Sequence, residues 1–278
     1  MATRLISAGV GVAVALLVFF LHHTIVLPVA AALIALILLF EFFRAADLLQ
    51  YKLSAISGIF YGAALPFVAI GIAARFRMLL TVVCVGLMML DYVLRRCEMP
   101  AKDFFTAVGG SLLIANAMAS AVTLHNTHVQ HGLAYLVLAL GGAWIADTGA
   151  YFTGTFFGRT PLCPAVSPKK TLEGFIGGIV STVIFFVVFN LVYSAVLSGK
   201  GTPIEVSWLS TVCVGAACAV LGTLGDLTAS VLKRQLEIKD YGTIMPGHGG
   251  LLDRFDSVLL VLPFFCAYVQ ASSFFNIH

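Results

Sequence analysis

Long apolar runs separated by short polar connections make up most of this chain. A helix needs about 20 apolar residues to cross a bilayer. Nine runs reach that scale, at roughly 5–21, 25–43, 53–74, 78–94, 104–124, 132–152, 172–197, 206–232 and 251–271. None alternates with the period of two that a membrane barrel strand requires, so helices are the predicted spanning element. The predicted fold class is all-α: a polytopic integral membrane protein of about nine transmembrane helices. Arg4 and the run after it could pass for a signal peptide. A polytopic chain needs a span there anyway, so the run is expected to be an uncleaved first helix.

The polar positions orient the helices. Lys and Arg concentrate on the cytoplasmic side of membrane proteins. With a cytoplasmic N-terminus, all of the 16 Lys and Arg except Arg75, Arg77 and Lys200 fall on that side. The longest polar stretches, about 153–171 and 233–250, also face the cytoplasm in this arrangement. The connection 125–131 carries His125, His128 and His131 but no Lys or Arg. It is expected to be a neutral exterior loop rather than a metal triad.

Composition agrees with the pattern. The chain is 60% hydrophobic and only 10% charged, against about 25% charged in soluble domains. Its mean hydropathy is +1.02. A net charge of +3 is too small to suggest nucleic-acid binding, and no basic run is long enough to track a duplex. The six cysteines form no CxxC pair and read as small apolar residues. No internal repeat is visible, which weighs against an inverted-repeat transporter.

Charge is expensive in so apolar a chain, so its clusters mark candidate chemistry. The segment 230–256 gathers Lys233, Arg234, Lys239, Asp240, His248, Asp253, Arg254 and Asp256 around a glycine-rich turn. Asp226, Ser230 and Lys233 share one helical face, as a metal or substrate ligand set or as a packing charge pair. Gly247, Gly249 and Gly250 permit close backbone approach to a ligand. A helix predicted to begin near Gly250 would offer free N–H groups to phosphate. Asp253 and Asp256 would then share one face of its first two turns and suit a divalent cation. They could also simply complement the helix dipole. His248 is open to three roles: metal ligand, phosphate donor or loop residue. Asp147 is an acid within an apolar run, functional by default. Ser167, Lys169, Lys170 and Thr171 precede a helix start and could cradle a phosphate. They could equally be a cationic anchor with Thr171 as N-cap. Gly154/Gly158 and Gly174/Gly178 are GxxxG pairs, which favour close helix packing and make a homodimer a possible assembly.

These stretches resemble the phosphatidate cytidylyltransferases, also called CDP-diacylglycerol synthases. The family signature is matched by Ser230, Lys233-Arg234, Lys239-Asp240, Pro246, His248-Gly249-Gly250, Asp253-Arg254 and Asp256. Met245 stands where that signature usually has Leu, Ile or Phe. Two further family stretches are matched by Trp144, Asp147, Thr148, Ala150 and Tyr151, and by residues 167–174. The resemblance is specific over about 144–257; before residue 130 only the hydropathy profile agrees.

The resemblance implies CTP + phosphatidate → CDP-diacylglycerol + diphosphate, with Mg²⁺ and room for a second, monovalent cation. It implies roles as follows. Asp226, Asp253 and Asp256 hold metal, while Lys233, Arg234 and Arg254 join them in catalysis. Asp147, Ser167, Lys169, Lys170, Thr171, Ser230, Lys239, Asp240 and Gly247 to Gly250, His248 included, bind substrate or phosphate. Residues 1–124 would be a helical scaffold with a possible oligomer contact, and 125–278 the catalytic region. The setting would be the inner (cytoplasmic) membrane of a cell, with the site facing the cytoplasm. Two alternatives are a CTP-dependent kinase of a polyprenol or other lipid alcohol, and an ion-coupled transporter built on Asp147 and Asp226.

Overall fold

The computed structural model of the chain describes Leu21 and residues 25–96, 98–127, 130–244, 249–272 and 274–277. It is nearly all-α. The helices are α1 (Val26–Ala45), α2 (Lys52–Ala64), α3 (Arg77–Leu94), α4 (Ala101–Thr127), α5 (Gly132–Phe157), α6 (Leu172–Gly199), α7 (Trp208–Gln235), α8 (Leu252–Phe255) and α9 (Val258–Ala271). Among the described residues, six helical segments are long and apolar enough to cross a membrane: α1, Gly71–Leu94, α4, α5, α6 and α7. The chain is an integral membrane protein.

Nine continuous spans are not what the described residues contain, for reasons that are local. The run expected at 5–21 lies outside them. The run expected at 53–74 breaks after α2, because Pro66 has no N–H to continue the ladder and Gly71 sits at φ +59. The run expected at 251–271 is interrupted by a turn at Asp256 and Ser257, which separates the four-residue α8 from α9. Among the described residues, four short strands also appear that the hydropathy pattern does not predict. β1 (Pro161–Cys163) pairs antiparallel with β2 (Ser167–Thr171), and β3 (Ile204–Val206) with β4 (Phe275–Ile277).

The chain divides into two compact units. One comprises the chain up to Leu133 together with Lys233–Phe255; the other comprises Ala134–Leu232 and the chain from Asp256 onward.

In the first unit α1 packs on α2 and α4, and α2 packs on α3 and α4. Its polar ties are few and specific. Asp91 of α3 is buried and accepts the Ser54 N–H (2.9 Å) and hydroxyl (2.7 Å), which satisfies the start of α2. Arg95 completes that carboxylate's set at 3.0 Å. Gly71–Leu94 is apolar and only 17% of its spanning window is buried, so most of its side chains, Met78, Val82 and Val93 among them, are exposed.

In the second unit an aromatic core joins the helices. Tyr135 stacks on Phe275 (5.1 Å between centroids), and Phe265 stacks on Phe274 (5.5 Å). Helices α5 and α6 approach until backbone meets backbone. A Cβ at Gly174 would lie 2.8 Å from the Ala150 carbonyl, and one at Gly178 2.8 Å from the Ala146 carbonyl. Small residues permit such contact where the bilayer supplies no hydrophobic drive. The two GxxxG pairs are thus used against each other within one chain and supply no argument for a dimer.

Candidate functional site

In the second unit, β2 runs directly into α6. Thr171 is the last strand residue and the N-cap, its side chain accepting the Gly174 N–H at 3.1 Å. Successive strand residues face opposite ways. Lys170 turns inward to an ion pair with Asp226 of α7, while Lys169 is exposed. The two lysines therefore do not form one cradle. Ser230, one turn beyond Asp226, places its Oγ a long 3.5 Å from the same carboxylate. Ser167 is half-buried in β2.

Two further acidic residues from different elements lie beside this pair. Asp147 of α5 accepts the Ser257 hydroxyl at 3.0 Å and lies within electrostatic reach of Asp226 and Lys170. Asp256 is 7% exposed, and its carboxylate accepts the Ser257 N–H at 2.8 Å. Gly225, next to Asp226, packs on this turn: a Cβ there would lie 2.5 Å from the Asp256 carbonyl. Carboxylate oxygens suit a hard cation, and Mg²⁺ is commonly held by one or two of them plus substrate phosphates and water. Among the described residues, no three His, Cys, Asp or Glu side chains assemble a complete metal cage. That donor set fits a magnesium ion whose remaining ligands come from phosphate and water.

The first unit holds the other half of the motif. Asp253 of α8 is the organising group of its loop. One oxygen receives Lys233 Nζ at 2.8 Å; the other accepts the N–H groups of Tyr241 (2.9 Å) and Gly250 (3.0 Å). Lys233 also lies over the Tyr241 ring, 5.6 Å from its centroid. The pair is well enclosed, with side-chain exposures of 16% and 7%. Gly249 sits at φ +83, where a side chain is strained, and a Cβ there would come within 3.2 Å of Asp240 Oδ1. Arg234, Lys239, Asp240 and Arg254 are exposed. Gly247 and His248, like His128, lie outside the described residues.

Two expectations change here. Asp253 and Asp256 do not share a helical face, because α8 ends at Phe255 and the two belong to different units. The backbone N–H groups expected to meet phosphate near Gly250 already have protein acceptors. Gly250 donates to Asp253, while Leu251 (3.0 Å) and Leu252 (2.8 Å) donate to Glu41. Sequence reasoning missed Glu41 and Ser257. A lone acid in the apolar run 25–43 was a visible signal; Ser257 carried none.

Residues 2–272 match the profile of the cytidylyltransferase family. The chain is 42% identical over 135 residues to a phosphatidate cytidylyltransferase of Bacillus subtilis, covering 49% of this chain and 47% of that protein. It is 41% identical over 132 residues to one of Thermotoga maritima (48% and 47% covered). It is 38% identical over 142 residues to one of Haemophilus influenzae (51% and 48% covered). The aligned part spans about half the length of these curated relatives.

Proposed function

The chain belongs to the cytidylyltransferase family, and we propose that it transfers the cytidylyl group of CTP to phosphatidate, releasing diphosphate and forming CDP-diacylglycerol. The observation that carries this reading is a pair of cations held ready by carboxylates where apolar helices begin or end. They are Lys170 with Asp226 ahead of α6, and Lys233 with Asp253 in the last turn of α7. One substrate is a lipid and the other a soluble triphosphate, so chemistry must happen where helices leave the bilayer. We place that face on the cytoplasmic side of the inner membrane, with the N-terminus on the same side, from the distribution of Lys and Arg.

A phosphatidate oxygen attacks the α-phosphorus of CTP in line. The bond from that phosphorus to the bridging oxygen of the β-phosphate breaks, and diphosphate carries the electron pair away. The attacking phosphate is already largely ionised near neutral pH, since a monoester's second pKa is about 6. No strong base is needed, and the protein's work is positioning and charge neutralisation. Lys170, Lys233, Arg234 and Arg254 exchange carboxylate or water for phosphate oxygens when substrates arrive. Ser167, Thr171, Ser230 and exposed Lys169 complete the polar lining. Asp226 and Asp256 of the second unit, and separately Asp253 of the first, would hold Mg²⁺, which would supply charge compensation for the leaving diphosphate.

The deciding experiment is purified protein with phosphatidate, Mg²⁺ and CTP labelled at its α-phosphate. Labelled lipid is expected. Unlabelled lipid from this CTP, with label transfer from the γ-position instead, would identify a lipid kinase. Solute flux in vesicles without CTP turnover would identify a transporter.

Arg234→Lys should be impaired by about tenfold per folded molecule if the guanidinium grips phosphate with two parallel bonds, because an ammonium cannot reproduce that fork. Unchanged specific activity would remove Arg234 from the phosphate-binding set.

A further inference from the structure

The signature loop is anchored by an acid that lies far outside the signature. Glu41, near the end of α1, is 2% exposed. Its carboxylate spans two consecutive backbone donors, Oε1 accepting Leu251 N–H at 3.0 Å and Oε2 accepting Leu252 N–H at 2.8 Å. These two residues immediately precede Asp253. Among the described residues no Lys or Arg pairs with Glu41. A buried carboxylate without a cation is costly, and removing its donors' acceptor leaves two N–H groups unsatisfied.

The surroundings are cut to fit this contact. A Cβ on Gly250 would lie 2.8 and 2.9 Å from the two Glu41 oxygens and 2.7 Å from Gly242 N; a Cβ on Gly242 would collide with Glu41 outright. Two glycines thus let two backbone segments close onto one carboxylate. The same short stretch holds Asp253 from its other side, through the Gly250 and Tyr241 N–H groups and Lys233.

We propose that Glu41 is a positioning residue for the cytidylyl transfer: it clamps the 250–252 backbone so that Asp253 and Lys233 are held in one geometry before substrate arrives. The proposal deepens the function proposed above and rests on it for its kinetic half. Its structural half stands alone. Preorganisation of this kind acts on turnover more than on substrate capture, because the clamp touches neither substrate.

The test uses the full chain in lipid nanodiscs, comparing wild type, Glu41→Gln, Glu41→Asp and Gly250→Ala. Glutamine keeps the size but presents an amide N–H₂ to one backbone donor. Amide hydrogen exchange should accelerate at Leu251 and Leu252 in Glu41→Gln, with α2 to α4 unchanged. In the labelled-CTP assay, kcat per folded molecule should fall by about tenfold or more, the loss expected for charge-assisted hydrogen bonds, while KM for phosphatidate stays within about threefold. Glu41→Asp should recover part of both losses, and Gly250→Ala should reproduce them, which covers the case in which Glu41→Gln fails to fold. Unchanged exchange at Leu251 and Leu252 in the folded variants overturns the clamp. Accelerated exchange with full kcat overturns its role in turnover. If wild type transfers no cytidylyl group, the proposed function fails, and the exchange result still decides whether Glu41 clamps the loop.

Discussion

Asp253→Asn is expected to reduce turnover by about a hundredfold or more, the largest loss of any single substitution in this chain. Every partner of this carboxylate is lost or weakened at once. Asparagine offers one oxygen where Asp253 uses two, against Lys233 on one side and the Tyr241 and Gly250 N–H groups on the other. Whichever way the amide turns, its N–H₂ faces a donor. Lys233 then loses its counter-charge, and any cation held by Asp253 loses a ligand. Asp226→Asn should rank close behind, because it frees Lys170 in the same manner. Turnover is to be scored against folded yield, with Lys200→Ala as an exposed control. Near-native activity of Asp253→Asn at ordinary Mg²⁺ would sink both the metal assignment and the phosphate role of Lys233.

Chelation should have an equally complete effect. EDTA is expected to stop label transfer, and Mg²⁺ or Mn²⁺ to restore it, since carboxylate and phosphate oxygens are hard ligands. Without the cation, diphosphate would have to leave with its charge compensated only by Lys and Arg, and in the proposed reaction its departure would slow accordingly. Full activity after exhaustive chelation would show that the acidic residues around Ser257 serve packing alone.

The parts legible in the sequence are those written in long, uniform signals. Hydropathy located α1 and α4 to α7 because each carries a run that a few polar residues cannot mask. Thr171 was recognisable as a cap, since a hydroxyl just ahead of an apolar run has a local reason to be there. What escaped depends on single residues or on distant partners. Pro66 and Gly71 end a helix inside an apolar run that hydropathy reads as continuous. Strands of three to five residues are too short to show a period. The Asp256–Ser257 turn looks, by composition, like the first turns of a helix. Glu41 bonds to residues 210 and 211 positions away, and no local pattern could have supplied that pairing. The N–H groups near Gly250 were expected to await phosphate because the acid that occupies them is so remote.

The junction of β2 and α6 leaves no slack between a strand and a helix. Lys170 is the last residue before the cap, and its inward direction is set by counting back from Thr171 along a strand of period two. One residue inserted between Lys170 and Thr171 would turn Lys170 to the exposed side and put the newcomer in its place facing Asp226. This stretch can therefore change in residue type more easily than in length. For anyone placing a label or a crosslinking site, a permissive position lies at Gly199, where nothing stands within 4 Å of an added side chain's first carbon; at Gly201 the space is equally open, but φ +79 strains any side chain.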